Sequence, residues 1–267
     1  MNEKSTLRKN ANDYLTHTKQ TNGITLIALV VTIIVLIILA TISINAVLGE
    51  NSLIKKAEQA VNKYEVSQIQ EQLELAKLEA EMSHNKTTVK DILQTNKLIT
   101  QEQINNGFIE ISKDIIFITN YEGLKKLADE VNKANDFSNK IIYLIDNIDC
   151  GATFDVETGQ LLKGNAFTPI GQWPNYFCGT FDGMNYTISN VYMRSETGNC
   201  RGIFGQTQNA TIQNINVKNT YISANYAVGL ICGYANNTKF INCNIEKDAV
   251  CSAKLGTVRF TSGNDRQ

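Results

Sequence analysis

Histidine is almost absent from this chain of 267 residues, which contains only His17 and His84. A Ser/His/Asp arrangement for nucleophilic catalysis therefore has no histidine to use anywhere after residue 84. The glycine patterns that bind nucleotide phosphates are missing as well. The net charge of −1 gives no reason to expect nucleic acid as a partner.

Cysteine is absent from the first half of the chain and then occurs six times. The six residues are Cys150, Cys178, Cys200, Cys232, Cys243 and Cys251. No C-x-x-C spacing or histidine pair accompanies them, so we expect no metal site and no cofactor. An even number permits disulfide bonds, and small apolar residues filling a core explain the same pattern.

Charge is missing from the segment between Gly23 and Glu50, which consists almost wholly of Ile, Leu, Val, Ala and Thr. As a helix this segment would reach roughly 37 Å, against about 30 Å for the hydrocarbon core of a bilayer. The sequence therefore predicts a transmembrane helix with the lipid bilayer as a partner. Basic residues exceed acidic ones in residues 1–23, which predicts a single-pass protein of the cell membrane with its C-terminal domain outside.

The residues Gly23–Leu29 (GITLIAL) resemble the cleavage signal of type IV prepilins and pseudopilins. In that family a prepilin peptidase cuts after the glycine and methylates the new N-terminal residue. The resemblance implies that Gly23 ends the leader and that Ile24 is the methylated mature N-terminus. Ala28 stands where the family usually has a Glu that is thought to pair with the amine of a neighbouring pilin-like subunit, so polymerisation stays open. An uncleaved signal anchor is the alternative.

A helix-friendly segment without Gly or Pro follows and runs from Glu50 to about Met82. Apolar residues recur there at steps of three and four, which predicts that the helix continues as an amphipathic stalk or a coiled-coil spacer. We expect a small linker region over 83–119, with short helices over Thr87–Ile118 and a strand at Asp114–Thr119. Asn120 is a candidate N-cap for a helix that ends near Val131, and a strand is predicted at Lys140–Ile148.

Internal repeats organise the C-terminal part. Similar segments place Asn190, Asn214 and Asn242 after an apolar-polar pair, and the motifs GIFG (202–205) and GLICG (229–233) stand between them. Repeats of 20–50 residues indicate stacked units, and the alternation of period two indicates a β-solenoid. We expect the three asparagines to stack as one hydrogen-bonded ladder. Cys232 and Cys243 should point inward as small core residues.

These repeats also resemble those of bacterial surface proteins of the GLUG type. The residues that carry the likeness are LKKLA (124–128), IDNID (145–149), FTPIG (167–171) and FDGMNYTISN (181–190), together with the two glycine-flanked motifs. GLICG has one residue more than GIFG, which a local bulge or a loose match explains. The resemblance implies a right-handed parallel β-helix whose first helix serves as a cap.

The expected fold class is α+β, with a long N-terminal transmembrane and amphipathic helix followed by a short right-handed parallel β-helix. The expected segments are a leader (1–23), the helix (24–82), the linker (83–119), the solenoid with its cap (120–253) and a polar tail (254–267). Because this tail lacks a third glycine motif, a truncated or frame-shifted array is a hypothesis.

Two classes of function follow from this organisation. The first is a pilin-like or pseudopilin-like surface protein that displays a β-solenoid for adhesion or structural interaction, without catalysis. The second is a membrane-tethered carbohydrate-active enzyme or carbohydrate-binding module. Its candidate carboxylates are Asp146, Asp149, Asp155, Glu157 and Asp182, but turn chemistry also explains Asp-Gly and strand-end aspartates.

A surface carbohydrate or a protein is a conceivable ligand for the displayed domain. Aromatic residues that could contact sugars are Trp173, Tyr176, Phe177, Tyr192, Tyr221 and Tyr226. Loop residues that cover the end of a solenoid account for the first three as well, so both interpretations stay open.

Overall fold

The structure is a computed structural model that describes residues 26–48, 53–83, 86–255 and 258–259. It divides into two compact units, Met1–Val61 and Asn62–Gln267. Gly23 and Ile24, with the rest of the expected leader, lie outside the described residues, and so do His84 and most of the tail.

The first unit contains helix α1 (Leu26–Leu48), and helix α2 (Leu53–Met82) begins in it. Large apolar side chains from Leu29 to Ile44 are all exposed, from 47% at Leu29 to 64% at Leu36. Across the part of the chain that the structure describes, no helix has the length and apolar character needed to cross a membrane.

The second unit begins within α2 and carries three shorter helices. They are α3 (Val89–Thr95), α4 (Gln101–Asn106) and α5 (Tyr121–Asn132). Thr88 and Thr100 start α3 and α4 with capping boxes, in which each side chain accepts a backbone N–H from the first turn. Asn120 caps α5 by accepting the Gly123 N–H at 3.0 Å, which confirms the predicted helix start.

Eighteen strands lie in the described residues. They are β1 (Phe108–Glu110), β2 (Ile115–Ile118), β3 (Ile141–Leu144), β4 (Ile148–Asp149), β5 (Thr153–Phe154), β6 (Leu161–Lys163), β7 (Thr180–Asp182), β8 (Thr187–Arg194), β9 (Asn199–Arg201), β10 (Phe204–Gln208), β11 (Thr211–Gln213), β12 (Asn216–Ala224), β13 (Tyr226–Gly229), β14 (Cys232–Asn236), β15 (Lys239–Ile241), β16 (Asn244–Ile245), β17 (Val250–Ala253) and β18 (Val258–Arg259).

Parallel pairing between successive coils makes this a β-solenoid. One face stacks β2, β3, β7, β11 and β15, with β1 antiparallel at its edge, and a second stacks β4, β8, β12 and β16 with β17. Strands β9, β13 and β18 form a third face, and β10 with β14 a fourth. Each coil contributes one short strand to several faces and is hydrogen-bonded only to the coils before and after it.

Two cores lie on opposite sides of the first face. The inner core contains phenylalanine and branched aliphatic side chains from all coils, and the buried face of α5 packs into the same cluster. Phe181 and Phe204 meet edge to face there, with ring centroids 5.1 Å apart. The outer core contains the α2 residues Ile69, Leu73, Ala76 and Ala80. Residues 83–119, expected as a linker, also supply α3, α4 and two strands to this packing.

The predicted strand Lys140–Ile148 is two strands separated by a corner at residues 145–147. A solenoid coil must turn every few residues, so an apolar run that reads as one strand is divided between two faces. Cys232 and Cys243 are each 3% exposed, which confirms their predicted place in the core.

The single ladder predicted for Asn190, Asn214 and Asn242 is correct only for the last two. The Asn242 amide donates to Asn214 Oδ1 at 3.2 Å, whereas Asn190 accepts from Asn219 at 2.5 Å in a different stack. A coil has more than one corner that carries an asparagine. Aligning the repeats by their Asn-containing segments therefore matches corners that lie between different faces. The first ladder is Asp182, Asn214 and Asn242; the second is Asp149, Asn190 and Asn219.

The extra residue of GLICG is absorbed at a corner. Arg201 pairs with Val228, and Phe204 pairs with Cys232. The offset between paired residues is therefore one residue larger after the motif than before it. Parallel pairing resumes at Phe204, so the extra residue leaves the strands on either side of the corner paired.

Asn214 has a backbone φ of +51° and bonds through its side chain to both Asp182 and Asn242. We expect Asn214→Ala to lower the free energy of unfolding by about 2–3 kcal/mol, since it combines left-handed backbone strain with lost hydrogen bonds. Asn214→Gly should cost about 1 kcal/mol less, because glycine tolerates this φ. Urea denaturation of the full chain in detergent, followed by circular dichroism, measures both. Equal losses of unfolding free energy in the alanine and glycine variants would show that the left-handed backbone conformation does not affect stability here.

Phe181 is fully buried between neighbouring coils. We expect Phe181→Ala to lower the free energy of unfolding by about 3–5 kcal/mol through lost burial and a residual cavity. The matched control is Leu162→Ala on the exposed strand β6, where a change within about 0.5 kcal/mol is expected. A small effect at Phe181 in the same denaturation assay would contradict the core described above.

Candidate functional site

The candidate site is built on a loop that leaves the fourth face and returns to it. Ile170 and Phe177 each form a parallel bridge to strand β10, at Phe204 and Thr207. The residues between these anchors, Gly171–Tyr176, project from the coil and are named here the Trp173 loop. Both ends are therefore held by the solenoid backbone, which positions the loop on a rigid support.

The loop approaches the β10 backbone too closely for a side chain at its start. Gly171 has a φ of +81°, and a Cβ there would lie 2.4 Å from Gln206 O. The Asn175 amide donates to Asn132 O at 2.7 Å, and the Asn132 amide donates to Pro169 O at 3.0 Å. These bonds tie the loop to the end of α5.

Trp173 is 74% exposed, and its ring meets Tyr176 in a T-shaped contact with centroids 6.2 Å apart. Phe177, three residues from the following strand β7, is fully buried and packs on Phe204 at 5.3 Å. The aromatic cluster expected from the sequence therefore separates into one core residue, Phe177, and a surface pair.

One cleft lies beside the loop, and a second cleft adjoins the first with Cys178 as their common wall. The first has a volume of about 180 Å³ and is lined by Ala134, Asp136, Pro174, Asn175, Tyr176, Cys178 and Gln208. The second has a volume of about 210 Å³ and is lined by Asn139, Lys140, Ile141, Cys178, Gly179, Thr180 and Asn209. Each is smaller than the roughly 300–1,000 Å³ typical of sites that enclose a small molecule.

The polar groups of the clefts are already oriented by the backbone. Asp136 Oδ1 accepts the Ser138 N–H at 2.9 Å, and Lys140 Nζ donates to Lys113 O at 2.8 Å. Burial raises the pKa of the Cys178 thiol, and the negative charge of Asp136 raises it further. Cys178 therefore stays protonated near neutral pH, which disfavours a nucleophilic role.

The tyrosines of the repeats do not extend this surface. Tyr192 and Tyr221 stack with centroids 5.6 Å apart, and the β5–β6 hairpin covers them with Phe154. Tyr192 donates its hydroxyl to Gly159 O at 2.8 Å and is only 6% exposed. Tyr226 is exposed but lies on the third face.

Four of the five candidate catalytic carboxylates have structural partners. Asp146 pairs with Lys90, and Asp149 accepts from Asn190 at the foot of the second ladder. Asp182 accepts from Gln213 Nε2 at 2.7 Å and from Asn214 Nδ2 at 3.0 Å.

Asp155 accepts the backbone N–H groups of Glu157 and Thr158, and the bond from Thr158 lowers the pKa of its carboxyl. A general acid needs a raised pKa, so this position is unsuited to that role. Within the described residues, no group of three or more His, Cys, Asp or Glu side chains could hold a metal ion.

Sequence reasoning identified Trp173 and Tyr176 but missed the polar residues beside them. Asp136, Asn139 and Lys140 precede strand β3, whereas Gln208 ends strand β10 and Asn209 follows it. Nothing in their local sequence connects them, because only the stacking of coils brings these corners together.

The fold and the surface together define a β-solenoid protein with a projecting aromatic loop. No protein-family model matches the chain, and no solved structure matches it. It is similar to the immunoglobulin A1 protease of Streptococcus sanguinis, at 26% identity over 136 residues, or 49% of this chain and 7% of that protein. It is also similar to halomucin of Haloquadratum walsbyi, at 34% identity over 97 residues, or 36% of this chain and 1% of that protein. The chain thus spans less than a tenth of either relative.

All six cysteines are free thiols, and burial raises the pKa of Cys150 and of Cys232 to about 12. We expect iodoacetamide at pH 8 to leave both unmodified in the folded protein, because the thiolate is the reactive form. Cys178, Cys200 and Cys251 are only partly buried and should react first. Peptide mapping by mass spectrometry measures the order, with a urea-unfolded sample as control. Rapid alkylation of Cys232 in the folded chain would contradict the described core.

Proposed function

We propose that this chain is a membrane-anchored protein that displays its β-solenoid outside the cell for adhesion or structural interaction. The observation that carries the proposal is the apolar surface of α1, where every large side chain from Leu29 to Ile44 is exposed. Such a continuous apolar surface is costly in water and marks a site of membrane or protein contact.

The proposed membrane anchor is the uncharged segment from Gly23 to Leu48, part of which lies outside the described residues. The support is the sequence of the whole segment, since no helix within the described residues meets the requirement for crossing a membrane by itself. The length of the segment as a continuous helix would suit a bilayer, and the positive excess before it favours a cytoplasmic N-terminus. The lipid bilayer is the proposed partner of this segment, and the cell membrane its location.

We propose further that export follows the prepilin route. The support is the sequence Gly23–Leu29, in which prepilin peptidase would cut after Gly23 and methylate Ile24. Other pilin-like subunits are the partners that this route implies. Ala28 removes the carboxylate that would neutralise a buried amine in a filament, so display of single subunits fits better than assembly.

The proposed role of the solenoid is non-catalytic. Its support is that Asp146, Asp149 and Asp182 already hold an ion pair or the corner asparagines. A carbohydrate-active enzyme on this scaffold would need two carboxylates free to exchange protons across a bound sugar.

The test is mass spectrometry of the N-terminus of the membrane fraction from cells with and without prepilin peptidase. We expect a mature chain that starts at N-methylated Ile24 only when the peptidase is present. Protease treatment of intact cells should digest the solenoid. An intact Met1 with the peptidase present, or a start beyond Leu48, would remove the prepilin route.

Matched variants sharpen this test. Gly23→Leu places a bulky side chain at the cleavage position, and we expect it to leave Met1 in place while membrane insertion continues. Ala28→Glu restores the family's carboxylate and should leave cleavage unchanged. Sedimentation of cross-linked membranes then shows whether this carboxylate alone increases assembly.

A further inference from the structure

We propose that the Trp173 loop, the cleft beside it and the second cleft that adjoins this one at Cys178 bind a neutral polysaccharide, with one sugar ring against the Trp173 indole. This deepens the proposed display function by naming the class of ligand that the solenoid would contact. It does not depend on how the chain reaches the surface, so its failure is distinguishable from failure of the export route.

The aromatic part of the site faces solvent on a fixed loop. Trp173 is 74% exposed although Phe177, four residues later, is fully buried. The Tyr176 ring stands nearly perpendicular to the indole, at 84°. A large exposed aromatic ring that neighbouring contacts hold in place offers a flat apolar face, which matches the C–H face of a sugar ring.

The polar part of the site suits hydroxyl groups. The clefts are lined by the side-chain amides of Asn139, Asn175, Gln208 and Asn209. Amides donate and accept hydrogen bonds, as sugar hydroxyls do. Asn175 Nδ2 already donates to Asn132 O and Asn209 Oδ1 already accepts from Asn237, which leaves each of these two atoms one further hydrogen bond to make with a hydroxyl.

The charge of the lining selects a neutral ligand. Asp136 and Lys140 are the charged residues that line the two clefts, and their formal charges cancel. A polyanion such as a nucleic acid or a sulfated glycan would need several cations along its path.

The shape of the surface selects a polymer over a small molecule. Two shallow clefts of about 180 and 210 Å³ share the wall at Cys178, so they lie side by side. An extended chain that crosses both clefts can contact more surface than a small molecule in either one. A peptide would be expected to use an open strand edge or an apolar groove. Strands β10 and β7 instead pair with β14 and with β3 and β11.

The test uses the full chain in a detergent without a sugar head group. Trp173 is the only tryptophan of the sequence, so tryptophan emission reports on this loop alone. Laminarin, hydroxyethyl cellulose, mannan and xylan are the neutral probes, and heparin, alginate and an unfolded casein are the competitors from other classes. We expect a saturable blue shift with at least one neutral polymer. No shift with any of them, or a shift only with heparin, alginate or casein, would overturn the proposal.

Affinity electrophoresis in gels that contain the binding polymer measures how much each residue contributes to binding. We expect Trp173→Ala to weaken retardation about tenfold and Trp173→Tyr to restore most of it, since tyrosine keeps an aromatic face. Tyr226→Ala, an exposed aromatic on the third face, is the matched control and should bind as the parent chain does. Circular dichroism confirms that each variant is folded. Equal retardation of Trp173→Ala and the parent chain would overturn the assignment to this loop.

Discussion

Parallel hydrogen bonding between successive coils is the constraint on which the rest of this structure depends. A coil of short strands cannot bury its apolar side chains alone, so each coil is stable only when its neighbours lie in register. The corners keep that register. Asn190, Asn214 and Asn219 adopt left-handed backbone conformations at these corners, and their amides join one coil to the next. The turn and the stacking contact are therefore made by the same residue.

The same constraint decides where insertions can be placed. Residues added between two faces must leave the coil and return before the next paired strand, as the Trp173 loop and the β5–β6 hairpin both do. The hairpin folds back over Tyr192 and buries it, whereas the loop leaves Trp173 in solvent. The proposed binding surface therefore consists of the loop that projects and the corners beneath it, while the repeated strands supply the support.

Periodicity in the sequence identified the solenoid and the inward positions of Cys232 and Cys243, because alternation of period two follows from the pleat of a strand. The start of α5 was equally clear from Asn120, since capping is a local interaction. The register between successive coils was not clear from the sequence. Asn190 and Asn214 have similar neighbours, yet they belong to different corners, and local similarity cannot distinguish between corners of one coil.

The sequence by itself determined the β-solenoid, the uncharged segment from Gly23 to Leu48 and the presence of a single tryptophan beside a proline. Those features depend on composition and short-range pattern, which are visible without coordinates. Only the tertiary structure decided that Asp182 and Asp149 serve the asparagine ladders. It alone placed Asp136 and Gln208 beside Pro174 and Tyr176 of the Trp173 loop. The physical reason is that stacking joins residues about one coil or more apart, a distance at which the sequence carries no local signal of contact.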